Sequence, residues 1–116
     1  MEVMLASSRR WVLMHELRNE PEPDLPAQVA RFAPCDLVLV EGFKRQPIPK
    51  LEIHRSAASK PLLFRHDEHI VAIATDEPLA TDLPQFGLED YDPIAEFILL
   101  HLGLRGEVPQ LCSEVP

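Results

Sequence analysis

The sequence predicts an α/β protein in which a sheet is flanked by helices, and three observations carry that prediction. Asp36-Leu37-Val38-Leu39-Val40 is a continuously apolar run that ends in Glu41-Gly42, the pattern of a strand covered on both faces, as in a parallel sheet. Two segments carry helix signals at their ends, one after Asp24 and one from Asp92 to Gly103. Short apolar runs and helical segments follow one another mostly in strand-then-helix order. With 116 residues, 46% of them hydrophobic and 26% charged, the chain has the size and balance of one globular domain, or a piece of one.

In chain order, Glu2 to Ala6 reads as a short strand and Ser7 to Arg10 as a polar break. Trp11 to Met14 fits either a strand or a helical turn, because short runs are ambiguous by periodicity. Asn19 to Pro23 is an acidic, proline-bearing loop. Asp24 is a candidate N-cap with Pro26 in the first turn; Leu25, Val29 and Phe32 share one face, and Pro34 stops the helix. After the apolar run, Gln46 to Pro49 is an extended linker, since prolines bias their predecessors away from helix. Leu51 and Ile53 alternate with Glu52 and His54, as in a half-exposed strand. Pro61 to Phe64 and Ile70 to Ala74 suggest two further strands around the polar turn His66 to His69. Asp92 is placed as cap of the last helix with Pro93 at its first position. Its stripe is Ile94, Phe97, Ile98, His101 and Leu102, and Gly103 closes it. The domain is expected to span 1–106, with 107–116 as a frayed tail.

Composition excludes several functions. Eleven Lys and Arg against nineteen Asp and Glu give a net charge of −8, which argues against a nucleic-acid or membrane-surface binder. Cys35 and Cys112 are too few for a disulfide scaffold. Ser7 to Arg10 interrupt any signal-peptide core, no run approaches a membrane span, and cytoplasm is the expected location. The four glycines have neither the GxxxxGK[ST] nor the GxGxxG spacing, so the chain contains no glycine-rich nucleotide cradle.

The segment DLVLVEGFK, Asp36 to Lys44, has the physical form of a Walker B element. Its strand fixes the backbone and its carboxylate emerges at the sheet's carboxyl edge, where α/β proteins bind ligands. There Glu41 can ligate magnesium and Gly42 lets a phosphate approach the backbone. The plain alternative is a core strand followed by a surface turn. His66-x-x-His69, with Asp67 and Glu68, has metal-like composition but reads equally as a polar hairpin turn. His101 reads as a core-edge histidine, Cys35 as an inert thiol, and Arg9, Arg10 and Trp11 as a stacked surface group. Ser7 and Ser8 have no elbow motif.

The longer string DLVLVEGFKRQPIPKLEIHR (Asp36 to Arg55), with EVMLASSRRWVLMHELR at the start and HIVAIATDEPL from His69 to Leu79, resembles the molybdopterin-guanine dinucleotide biosynthesis adapter protein B (MobB) family over residues 2 to 103. The resemblance implies a cytoplasmic, homodimeric P-loop GTP-binding protein. It would assist the guanylyltransferase that attaches GMP to molybdopterin, and would itself hydrolyse GTP weakly at most. By the same resemblance Glu41 takes the acidic magnesium position, with Gly42 and Lys44 beside it. Asp76 takes the loop position where related proteins contact the base. The chain departs from the family in starting after its first strand, phosphate loop and first helix. The expected fold is therefore a partial P-loop NTPase-like sheet, with nucleotide binding impaired in this polypeptide alone. A fragment, a mistaken start codon or frame break, and a split gene each account for the departure. A non-catalytic interaction or dimerisation domain without nucleotide binding is the alternative function.

Overall fold

The computed structural model describes residues 1–104, which contain five strands and two α-helices. These residues fall into two units, Met1–Leu39 and the part from Val40 onward.

In the first unit, β1 (Glu2–Ala6) and β2 (Trp11–His15) form an antiparallel hairpin in the register Glu2↔His15 to Ala6↔Trp11. The ambiguous run at Trp11 is thus a strand. Its turn is held by Ser7, whose N–H donates to the Arg10 carbonyl oxygen and whose Oγ accepts from the Arg10 N–H. Apolar side chains lie exposed along both strands, Trp11 and Met4 among them. Helix α1 spans only Leu25–Val29. Asp24 caps it as expected, accepting from Ala27 N–H at 2.9 Å, and Pro26 sits in its first turn. The helix ends at Ala30 rather than running to Pro34; Leu25 is buried while Phe32 is exposed.

The second unit is built on a three-stranded parallel sheet in the order β3-β4-β5: β3 is Lys50–His54, β4 is Ile70–Thr75 and β5 is Gln85–Phe86. The central strand β4 is the core, with Ile70, Ala72, Ile73, Ala74 and Thr75 all buried. Its near-continuous apolar character goes with its burial, since successive residues of a strand point to opposite faces. A register shift between Lys50 and Leu51 marks a bulge at the start of β3. Helix α2 (Tyr91–His101) joins the sheet through Phe97, whose ring lies 5.6 Å from that of Phe86; His101 stacks on Phe97 in turn. Gly103 closes α2 with φ +67°.

Four expectations are corrected. Asp36 to Val40 joins no ladder among the described residues, and Leu39 is 75% exposed. Apolar propensity alone does not make a strand; its backbone groups need a neighbour to pair with. Pro61 to Phe64 is loop and turn. Proline cannot donate to a ladder, and Leu63 and Phe64 give their N–H groups to the Glu52 carboxylate instead. Helix α2 begins two residues earlier than expected, with Asp90 at the N-cap and Asp92 inside the first turn. Asp90 accepts from Gly87 N–H at 2.7 Å rather than from the helix, so its carboxylate ties the preceding loop. The sheet is not flanked on both faces by helices within this unit, where α2 is the only α-helix among the described residues. The expected tail at 107–116 lies outside the described residues.

Candidate functional site

The carboxyl ends of two adjacent parallel strands come together after His54 and Thr75, so the residues that follow each strand become neighbours. Ser56 opens the 3-10 turn Ser56–Ala58 just beyond β3, and Asp76 stands just beyond β4. The Asp76 carboxylate accepts from Ser56 N–H at 3.0 and 3.2 Å and from Ser56 Oγ at 3.1 Å. Chiefly through that backbone N–H, and then through the hydroxyl, Ser56 holds the Asp76 carboxyl below its ordinary value against the opposing effect of burial. A second link crosses the same edge, where His54 Nε2 lies 3.2 Å from Glu77 Oε1. Thr75 Oγ1 donates to the Glu77 carbonyl oxygen at 2.8 Å and accepts from Glu77 N–H at 3.2 Å, fixing the turn that presents both acids.

Asp76 thus occupies the position after a buried strand that α/β proteins use for ligands. Both of its oxygens are engaged by Ser56, so a ligand there would have to compete with that clasp. Ser56, His54 and Glu77 were not singled out as site residues from the sequence. Parallel adjacency of β3 and β4 is the signal that would have found them, since it makes the residues after each strand neighbours.

Glu41, Gly42 and Lys44 lie on a bend and turn, with Glu41 and Lys44 exposed. Gly42 has φ +85°, a left-handed conformation that glycine adopts without strain. Lys44 N–H donates to the Gly42 carbonyl oxygen at 2.9 Å, closing a tight turn. Because residues 36–40 form no strand, Glu41 is presented by this bend and not by a strand end. Among the described residues, no hydrogen bond or ion pair joins Glu41, Lys44 and Asp76. Nor do three His, Cys, Asp or Glu side chains gather there as a metal ion requires.

The segment His66 to His69 resolves into a structural cluster at the opposite, amino-terminal edge of β3 and β4. Asp67 accepts from Lys50 Nζ at 2.7 Å and from His69 N–H at 2.9 Å, with His69 Nδ1 at 3.2 Å. The Lys50 ammonium beside it, then the His69 N–H, holds the Asp67 carboxyl below its ordinary value. Lys50 N–H also donates to the His69 carbonyl oxygen at 2.9 Å, and Lys50 pairs with Ile70 across the ladder. The cluster sets where β4 begins.

Comparison with known proteins places these features in a family. Residues 1–76 match the family model described as molybdopterin guanine dinucleotide synthesis protein B, MobB. The chain is 41% identical over 97 residues to the molybdopterin-guanine dinucleotide biosynthesis adapter protein of Haemophilus influenzae, covering 84% of this chain and 54% of that one. It is 36% identical over 101 residues to the adapter protein of the same name from Escherichia coli K12, covering 84% of this chain and 58% of the relative. The chain therefore spans a little over half the length of these relatives. No helix of the described residues is long and apolar enough to cross a membrane. On the family match and these identities, the chain belongs to the MobB family of molybdopterin guanine dinucleotide synthesis proteins.

Proposed function

We propose that the chain acts in the last stage of molybdenum cofactor maturation in the cytoplasm, as an adapter beside the guanylyltransferase that attaches GMP to molybdopterin. The observation that carries this reading is the likeness to two adapter proteins over 84% of the chain. Titrating a purified molybdenum cofactor guanylyltransferase into the chain tests it. Saturable binding is expected; absence of binding at tens of micromolar would overturn the adapter reading. The homodimer that the resemblance implies belongs to the same proposal.

Glu41, Gly42, Lys44 and Asp76 are the residues proposed to face guanine nucleotide, with Glu41 toward magnesium. Taken alone, the described residues do not fit magnesium and GTP. Of the four proposed residues, Glu41 supplies an exposed carboxylate, while the Asp76 carboxylate is engaged by Ser56. The sequence has no GxxxxGK[ST] loop to wrap phosphates with backbone N–H groups. Calorimetry is expected to show weak GTP binding or none for this polypeptide, and a dissociation constant in the low micromolar range would overturn that. Joined to the phosphate-loop segment of a relative, the chain is expected to bind GTP with magnesium. Glu41→Gln should then weaken the magnesium dependence, because an amide is a poorer ligand for a hard cation. An unchanged dependence removes Glu41 from the site.

A further inference from the structure

The first unit carries an arrangement that the proposed function does not use. His15 ends β2, and each of its ring nitrogens faces a carboxylate: Nδ1 lies 3.1 Å from Glu2 Oε1 and Nε2 lies 3.1 Å from Glu20 Oε2. Glu2 is its cross-strand partner on β1. Glu20 belongs to the acidic loop that leads to α1, and it is brought back to the hairpin by a turn in which Asn19 takes φ +61°. Asparagine is one of the few residues that tolerates this conformation. Leu13, Leu17, Pro21 and Pro23 line a hollow at the same place, together with Arg31 from beyond α1.

The chemistry of the ring makes this a conditional contact. A neutral imidazole has one N–H and one lone pair, so it can donate to one carboxylate and must turn a lone pair to the other. Only imidazolium donates to both. We infer that His15, Glu2 and Glu20 form a pH-sensitive clasp that straps the acidic loop Asn19–Pro23 onto the hairpin when the ring is protonated and releases it when the ring is neutral. Loss of the proton places a lone pair against a carboxylate and removes the single positive charge between two negative ones. The carboxylates lie on opposite sides of the ring, so the group is not a cation site.

The charged groups around it give the direction. Glu2 on β1 and Glu20 on the loop favour the protonated ring, while burial opposes it; among the described residues, Arg31 is the one cation that lines the hollow beside it. Glu16, next along the chain, faces Arg18 at 4.0 Å. The hydrogen bond to Glu20 first, and that to Glu2 second, raises His15 above its ordinary value of about 6.5. For a group raised on folding, the contribution is fully present below the unfolded value and is lost as pH rises through the folded one. The clasp is therefore closed in mildly acid solution and opens as pH rises through the midpoint of His15.

Nuclear magnetic resonance on the 116-residue chain tests this. Below its midpoint the His15 ring should carry protons on both nitrogens, and the midpoint should lie above about 6.5. Glu20→Gln and Glu2→Gln should each lower it, Glu20→Gln the more. The backbone heteronuclear NOE of Asn19, Glu20 and Glu22 should fall across the same midpoint as the loop is released. That of β4 should stay constant and serves as the internal reference. A midpoint at or below about 6.5, or loop mobility that ignores pH, would overturn the clasp. Both readings come from the unmutated chain, so the inference stays testable even if a variant fails to fold.

Discussion

Replacing Ile73 by alanine is expected to destabilise the parallel-sheet unit by about 2–5 kcal/mol. Ile73 is fully buried at the centre of β4, the strand with a parallel neighbour on each side. It is opposite Glu52 of β3 and Gln85 of β5, and its N–H donates to the Pro84 carbonyl oxygen at 3.0 Å. Those backbone bonds hold the strand in place, so the sheet cannot collapse freely into the space that three lost carbons leave. The effect combines lost transfer free energy with an unfilled cavity. Ile73→Val removes one methylene and should cost about 0.5–1.5 kcal/mol. Urea unfolding of both variants measures the pair. A loss below about 1 kcal/mol for Ile73→Ala would mean that β4 is not the core of this unit. Because Asp76 follows this strand by one residue, the same variant should also loosen the Ser56–Asp76 clasp.

The elements that were legible in the sequence are those whose pattern suffices locally. Ile70 to Ala74 is apolar throughout and bounded by polar turns, and it forms the central strand. Asp24 and Pro26 mark a helix start, and Gly103 marks a helix end, because capping chemistry acts over three or four residues. Asp36 to Val40 has as strong an apolar pattern as β4, yet it lies unpaired, since pairing depends on what stands beside a strand and not on the strand itself. Asp92 reads as the cap of α2, yet the helix starts after Asp90, whose side chain takes the Gly87 N–H instead of capping. At the candidate site Asp76 could be proposed through the family resemblance, in the loop after the Ile70 to Ala74 run. Ser56 could not, because its contact crosses 20 residues and exists only when β3 and β4 run parallel side by side.

The second large effect is expected at Glu52, a residue that the sequence presents only as the polar member of an alternating strand. Its carboxylate accepts from Leu63 N–H at 2.7 and 3.1 Å and from Phe64 N–H at 2.9 Å. These two donors stand in the loop between β3 and β4, where no strand partner is available to them. A half-buried carboxylate taking two backbone donors replaces the ladder that Pro61 to Phe64 does not form. Glu52→Ala leaves both N–H groups without that acceptor, and hydrogen bonds to charged groups contribute about 1.5–3 kcal/mol each. Water reaches the exposed Leu63, which offsets part of its loss, so a destabilisation of about 1.5–3 kcal/mol is expected for the pair together. Glu52→Gln keeps an acceptor oxygen and should recover about half of it. Urea unfolding gives the totals, and amide exchange at Leu63 and Phe64 gives the cause. Faster exchange at these two amides, with β4 still protected, is the expected signature. If Glu52→Ala leaves both exchange rates unchanged, the loop is held by something other than Glu52. Ser56 stands two residues after β3 ends, on the same connection that carries Leu63 and Phe64, so the same measurement shows whether Glu52 anchors that connection independently of the Ser56–Asp76 clasp.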